Sequence, residues 1–175
     1  MRRLGIRLAL AMLTVAVVSA TASGCVQSGD SGSRHELFDS LDALARESSV
    51  IVVGSVTGQR EEDSAGLTTT VSTVSVTNTP ANPSLGENLD AESVPVAVGD
   101  VIQVRQDGKP SVLHPGQEYL LFLTPTMLPG NEATQFFITG AVAGAYKRDG
   151  DQYTRIVTDS GDDLPDTIVI ADAQG

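Results

Sequence analysis

Cys25 is the only cysteine among the 175 residues of the chain, and its thiol is the most distinctive reactive group in the sequence. It follows an apolar run and the small residues Ala22-Ser23-Gly24, and it precedes a stretch rich in Gly and Ser. In an exported protein a lone cysteine leaves a reactive thiol or an intermolecular bridge to be explained. Acylation of the sulfur would remove that thiol altogether.

The first 24 residues have the layout of a secretory signal peptide. Positive charges at Arg2, Arg3 and Arg7 precede an apolar run from Leu8 to Val18, and small residues follow. This run is shorter than the about 20 apolar residues that a membrane-spanning helix needs. One cleavage site, after Ala20-Thr21-Ala22, fits an ordinary signal peptidase and would release a soluble protein.

The other cleavage site resembles a known signal. Ala22-Ser23-Gly24-Cys25 is similar to the lipobox of bacterial lipoproteins, with Ala22 where leucine is usual. The resemblance implies that Cys25 receives a diacylglyceryl group on sulfur and becomes the N-terminus of the mature chain. Because two acyl chains anchor a protein stably, we expect lipid attachment through Cys25 at the outer face of the cell membrane. Secretion as a soluble protein is the alternative.

The composition narrows the classes of partner. Cleavage before Cys25 leaves 151 of the 175 residues, enough for one domain with a sizeable core. It removes three of the 11 basic residues and none of the 22 acidic ones, so the mature chain has a formal charge of −14. Such a chain is repelled by nucleic acid and by anionic lipid head groups. We therefore expect no nucleic-acid partner.

The chain has two histidines, His35 and His114, and His114 is the candidate general base. Neither has metal-ligand spacing to a second histidine or to a cysteine. His114 could act with a serine such as Ser111, but nothing in the sequence supports the geometry that a catalytic triad needs. The sequence therefore predicts neither an enzyme nor a cofactor.

An acidic cluster near the C-terminus is the weak candidate for a metal site. Carboxylates are hard oxygen ligands that suit calcium. The spacing of the cluster is not that of an EF-hand loop, which favours a solvated acidic turn. Its members are Asp159, Asp162, Asp163 and Asp166.

Hydrophobic spacing predicts the elements that must position these residues. A capping box from Ser33 to Glu36 and apolar residues at helical spacing predict one amphipathic helix from about Arg34 to Glu47. Apolar residues on consecutive positions predict two strands that are buried on both faces, Val50–Val56 and one within Gly116–Thr124.

Shorter strands are predicted at 68–76, 101–106, 134–139, 143–148, 152–157 and 167–170. In the first of these strands the valines change from odd to even positions between Val71 and Val74, and a bulge near Ser72 or Thr73 would place them on one face. The segment Thr79–Pro95 reads as an exposed, mobile insertion, and the glycines of Gly140–Gly144 indicate a sharp bend. One helix followed by several short strands indicates a mainly β fold, a small OB-like barrel or sandwich.

Three segments resemble, in their order, uncharacterised exported proteins of actinobacteria: Leu44–Val56, Val98–Val104 and Pro115–Leu123. More remotely, Leu41–Val157 is similar to the OB-like barrel of tissue-inhibitor and netrin-type modules. Those inhibitors present an N-terminal cysteine, tied by a disulfide, to a protease metal, whereas Cys25 has no partner cysteine. The resemblance therefore implies the fold and no inhibitory residues.

Together these observations predict a signal peptide at 1–24, a flexible tether at 25–33, an OB-like β domain at 34–157 and an acidic, loosely ordered tail at 158–175. The expected function is that of a lipid-anchored extracytoplasmic binding module without catalytic activity, with an extracytoplasmic protein as its partner. The alternative is an inhibitor or regulator of an extracytoplasmic enzyme. A hydrolase that uses His114 is the least favoured interpretation.

The lipid anchor gives the first prediction. Cys25→Ala should abolish metabolic labelling with palmitate, because it removes the sulfur that would carry the lipid. The variant should appear in the medium or as an uncleaved precursor on an immunoblot of fractionated cells. Membrane retention with normal processing would contradict the lipoprotein interpretation.

Overall fold

The computed structural model describes residues 37–64, 67–80, 95–107 and 111–170. The predicted signal peptide and tether, with Cys25, lie outside these residues, as do His35, the capping box at Ser33 and residues 81–94 of the predicted insertion. The elements are α1 (Leu41–Arg46), β1 (Val50–Ser64), β2 (Leu67–Asn78), β3 (Val101–Asp107), β4 (Glu118–Pro125), a 3-10 helix (Gly130–Thr134), β5 (Gln135–Ile138), β6 (Ala145–Asp149), β7 (Gln152–Arg155) and β8 (Thr167–Ile168).

Five strands close into a barrel. β1 pairs antiparallel with both β2 and β4, and β2 pairs antiparallel with β3. β5 completes the ring, because it pairs in parallel with β3 and antiparallel with β4. β6, β7 and β8 extend the sheet outward from β4. The predicted mainly β fold, a small OB-like barrel, is thus confirmed.

The barrel interior forms the first core. All five barrel strands contribute to it, with Val52 from β1, Val74 from β2, Val104 from β3, Leu121 from β4 and Phe136 from β5. Because side chains alternate between the two faces of a strand, the neighbours of these residues point outward.

A second core lies on the outer side of β1 and β4. There Ile51 and Phe122 pack with Leu44 of α1, Tyr146 of β6 and Leu164 of the C-terminal segment. Consecutive residues of β1 and β4 therefore enter two different cores. This confirms the prediction that these two strands are buried on both faces.

The helix is shorter than the predicted span of 34–47. α1 begins after Ser40, whose hydroxyl accepts a hydrogen bond from the Ala43 N–H at 3.2 Å. The backbone of Phe38 forms hydrogen bonds outside the helix. Its N–H donates to Asp162 Oδ1 at 2.9 Å, and its carbonyl accepts from the Asp163 N–H at 2.8 Å. Residues far along the chain thus use the backbone groups that a longer helix would need.

The predicted bulge at Ser72 or Thr73 is also wrong in position. The register between β1 and β2 shifts at two places: Thr77 is the extra residue in β2, and Thr57 is the extra residue in β1. β2 alternates without interruption between Val71 and Val74, with Val74 in the barrel interior and Val71 fully buried on the outer side. Valines therefore occupy both odd and even positions of β2 because both sides of this strand are buried here.

The described part of the predicted tail, residues 158–170, packs on the domain. Leu164 belongs to the second core. Arg155 is buried, and its guanidinium donates to the carbonyl oxygens of Thr158 and Asp162 at 3.3 Å each. The acidic composition suggested that this segment is solvated, but the buried guanidinium binds its backbone and holds it on the domain. The domain therefore extends beyond the predicted boundary at Val157.

The bend between β5 and β6 falls at the predicted glycines. Gly140 has φ +65° and Ala141 has φ +62°. A Cβ atom on Gly144 would lie 2.9 Å from both the Cβ and the carbonyl oxygen of Phe122. Glycine is needed at Gly144 because the bend passes so close to β4.

The two cores give the second prediction. Val52→Ala should lower the free energy of unfolding by roughly 2 kcal/mol, since it removes buried methyl groups and leaves a cavity. Val101→Ala is the matched control, because Val101 is also a strand valine but is 65% exposed. Chemical denaturation of both variants tests this. Equal losses would show that the assignment of the barrel interior is wrong.

Candidate functional site

One side of the barrel lies away from the second core and has a polar, partly exposed outer surface. β3 is separated from β1 by β2 and from β4 by β5, so its outer side faces away from the second core. The outward-pointing residues here are identified by their cross-strand pairs. We name this surface the free face. Thr69, Val71, Arg105 and Gln135 are its buried residues, and the others are Thr73, Ser75, Val101, Gln103, Asp107 and Phe137.

Arg105 is the buried centre of the free face, with only 4% of its side chain exposed. Its Nη1 atom donates to Glu62 Oε2 at 3.2 Å and to Glu132 Oε1 at 3.0 Å. Its Nη2 atom donates to Thr69 Oγ1 at 3.3 Å, and its Nε atom lies 3.5 Å from Asp107 Oδ1. A buried cation needs such partners, since desolvation without them is costly.

A polar cleft of about 620 Å³ opens beside this cluster. Arg60 donates from Nη2 to Gln103 Oε1 at 2.9 Å and from Nε to Glu62 Oε1 at 2.8 Å. Gln135 donates to the same Gln103 oxygen at 3.3 Å. The cleft thus offers guanidinium, carboxylate and amide groups, which suit hydrogen bonding to polar groups of a partner. The residues that line it are Arg60, Glu62, Gln103, Gly130, Asn131, Glu132, Thr134 and Gln135.

The loop from Thr126 to Thr134 forms one wall of this cleft and is held by Thr126. The Thr126 N–H donates to the Gln135 carbonyl at 3.0 Å, and its hydroxyl donates to the Glu132 carbonyl at 2.6 Å. The same hydroxyl accepts from the Leu128 N–H at 3.3 Å. These bonds fix both ends of the turn that contains Met127.

The structure gives the four candidate metal ligands separate surroundings. Asp162 is buried, and its carboxylate accepts from the Phe38 N–H at 2.9 Å and from the Ser160 hydroxyl at 2.6 Å. Asp166 lies 3.2 Å from the Arg155 guanidinium, while Asp159 and Asp163 are exposed. No group of three or more metal-ligating side chains is found within the described segments.

The side chains of Ser111 and His114 are likewise not brought together. The Ser111 hydroxyl donates to Gln106 Oε1 and to the Leu113 carbonyl. The His114 ring is exposed, and the His114 backbone N–H donates to the Tyr119 hydroxyl at 3.0 Å. In the described part of the chain no hydrogen bond joins Ser111 to His114. The other predicted site residue, Cys25, lies outside the described residues.

Two buried tyrosines show that water is excluded from the domain away from the free face. Burial raises the pKa of Tyr146 to about 12, although the facing Arg155 acts in the opposite direction. Burial also raises the pKa of Tyr119, against the effect of the His114 N–H that donates to its hydroxyl. Both phenols are therefore neutral at physiological pH and support the cores.

Sequence reasoning missed the free face because it treated residues 101–106 only as a strand. The available signal was the alternation of Ile102 and Val104 with Gln103 and Arg105, which places an arginine on the outer side of a barrel strand. The carboxylates that pair with it come from distant segments and could not be assigned from spacing.

Comparison of the chain with models of known families, with curated proteins and with solved structures finds no match. Among the described residues, no helix is long and apolar enough to cross a membrane.

The buried cation gives the third prediction. Arg105→Ala should cost about 3–5 kcal/mol of unfolding free energy, because it leaves partly buried carboxylates without their counter-charge. Arg148→Ala is the control: Arg148 also pairs with a glutamate, Glu118, at 2.7 Å, but its side chain is 53% exposed. Exposed pairs contribute little, so the control should unfold almost as wild type does in a urea titration. Similar small losses in both variants would contradict the buried network.

Proposed function

We propose that this chain is an extracytoplasmic binding module, held at the outer face of the cell membrane by a lipid on Cys25, and that the free face binds a protein partner. The observation that carries the proposal is the asymmetry of the barrel. The outer side of β1 and β4 is closed by a second core, whereas the opposite side presents polar groups around an open cleft.

The start of the described chain supports this orientation. Phe38 belongs to the second core and is hydrogen-bonded to Asp162 and Asp163. The chain therefore enters the domain on the side of α1, away from the free face. The 12 peptide units between Cys25 and Leu37 span at most about 43 Å. A lipid at Cys25 would therefore attach the domain through its α1 side, and a tether of this length would leave the free face accessible.

The chemistry of the cleft favours recognition over catalysis. Its charged groups are already paired with one another, as in the contacts of Arg60 with Glu62 and of Arg105 with Glu132. Preformed networks of this kind present donors and acceptors in fixed positions, which gives specificity to a protein interface. An inhibitor or regulator of an extracytoplasmic enzyme would use the same surface and differ only in its partner.

Crosslinking in intact cells tests the proposal, and this is the fourth prediction. The full-length protein should give a defined adduct with another extracytoplasmic protein. The double variant Thr73→Arg/Gln103→Arg should lose that adduct, because two long cations would obstruct the free face. The matched control, Thr167→Arg/Gln152→Arg, makes the same substitutions on β7 and β8 and should keep it.

Mass spectrometry of the adduct distinguishes the outcomes. An adduct that survives in both double variants, or the absence of any adduct in the wild type, would contradict binding through the free face. If the partner is an enzyme whose activity falls when the purified domain is added, the inhibitor alternative is supported.

A further inference from the structure

We propose that Met127 is the anchor by which a basic protein partner docks at the edge of the free face. The inference rests on the proposed function and names the contact and the chemistry of the partner. Met127 is 94% exposed, the highest value among the large hydrophobic side chains of the described residues. It belongs to the loop that forms one wall of the polar cleft.

The backbone of Met127 is strained as well as exposed. Its φ of +54° lies in the left-handed region, which disfavours every side chain and favours glycine. Strain of this kind persists only where the surrounding structure enforces it, and it concentrates at functional sites. Here the Thr126 hydroxyl enforces it through its bonds to Glu132 and Leu128.

A comparison within the chain shows what is specific to Met127. Ala141 is the other described residue besides glycine with positive φ, at +62°. Ala141 is also exposed, but it has only a methyl group to present. At Met127 the same conformation holds a long apolar side chain in solvent. A rigid loop loses little conformational entropy on binding, and the flexible thioether adapts to an irregular pocket.

The charges of the Arg105 cluster, to which Glu132 of the Met127 loop belongs, identify the partner's chemistry. Glu62, Glu132 and Asp107 are 30%, 32% and 54% exposed, whereas Arg105, the cation that they surround, is 4% exposed. Arg60, which is 43% exposed, pairs with Glu62, so three carboxylates face two guanidinium groups in this cluster and its net charge is negative. The formal charge of −14 on the mature chain extends the same field outward. An apolar socket flanked by Lys and Arg fits this surface best.

The test places one photoreactive residue in the full-length, membrane-anchored protein in intact cells. The positions are 127, then 101 on the free face, and 169 on the side of β8; all three carry exposed apolar residues. Positions 127 and 101 should crosslink to the same protein, and position 169 should not. The identified partner is then purified, and its affinity for the domain is measured calorimetrically at low and high salt.

Two glycine substitutions separate docking from stability. Met127→Gly should raise the melting temperature by relieving the strain, yet weaken binding at least tenfold. Ala141→Gly should raise the melting temperature and leave binding unchanged. Met127→Leu keeps an apolar side chain and should bind within a few-fold of wild type. Affinity should fall as salt rises, because charge complementarity contributes to binding.

The outcomes distinguish this inference from the function on which it rests. A crosslink at 101 without one at 127, unchanged affinity in Met127→Gly, or salt-independent binding would overturn the docking proposal and leave the binding module standing. A crosslink at 127 to a second copy of the chain or to lipid would also overturn it. The absence of a protein adduct at both 101 and 127 would overturn the proposed function as well.

Discussion

The burial of β1 and β4 on both faces is the constraint on which the rest of the structure depends. These strands pair with each other to close the barrel, and their alternate residues enter two cores. The close approach of β2 to β1 leaves no room for a side chain at Gly54, where a Cβ atom would lie 2.6 Å from Val74 Cγ1 and 2.8 Å from the Ser75 carbonyl oxygen. Away from this side, the outer surface of β2, β3 and β5 is polar and is partly covered by Glu62 of β1 and Glu132 of the 3-10 helix, which contact Arg105.

Two buried arginines connect segments of the chain through polar contacts, in addition to the packing of the two cores. Arg105 joins β3 to Glu62 of β1 and to Glu132 of the 3-10 helix. Arg155 fixes the segment after β7 through the carbonyl oxygens of Thr158 and Asp162. A single cysteine rules out disulfides within the chain, so these polar contacts supply connections between segments of the kind that disulfides provide in many small exported domains. One of the two clusters secures the entry of the chain, and the other forms the candidate binding surface.

Much of the fold could be predicted from the sequence, because continuous apolar runs mark strands such as Val50–Val56 whatever their neighbours are. The start of α1 could not be predicted, since it depends on a bond from Phe38 to Asp162, 124 residues away. The packing of residues 158–170 was missed for the same reason. Composition shows the charge of an acidic segment but not the arginine that binds its backbone. The Arg105 cluster escaped prediction because its carboxylates, Glu62 and Glu132, lie 43 and 27 residues from it along the chain.

The central claim is that a partner covers the free face in the cell and leaves the side of β8 exposed. Thiol accessibility measures this most directly, with Val101→Cys on the free face and Val169→Cys on the side of β8. These valines are 65% and 73% exposed, and lipid on Cys25 would leave each introduced thiol as the reactive one. A membrane-impermeant maleimide should label Val101→Cys much more slowly in intact cells than in the purified protein, and Val169→Cys at similar rates in both. Equal labelling of Val101→Cys in cells and in solution would contradict the account.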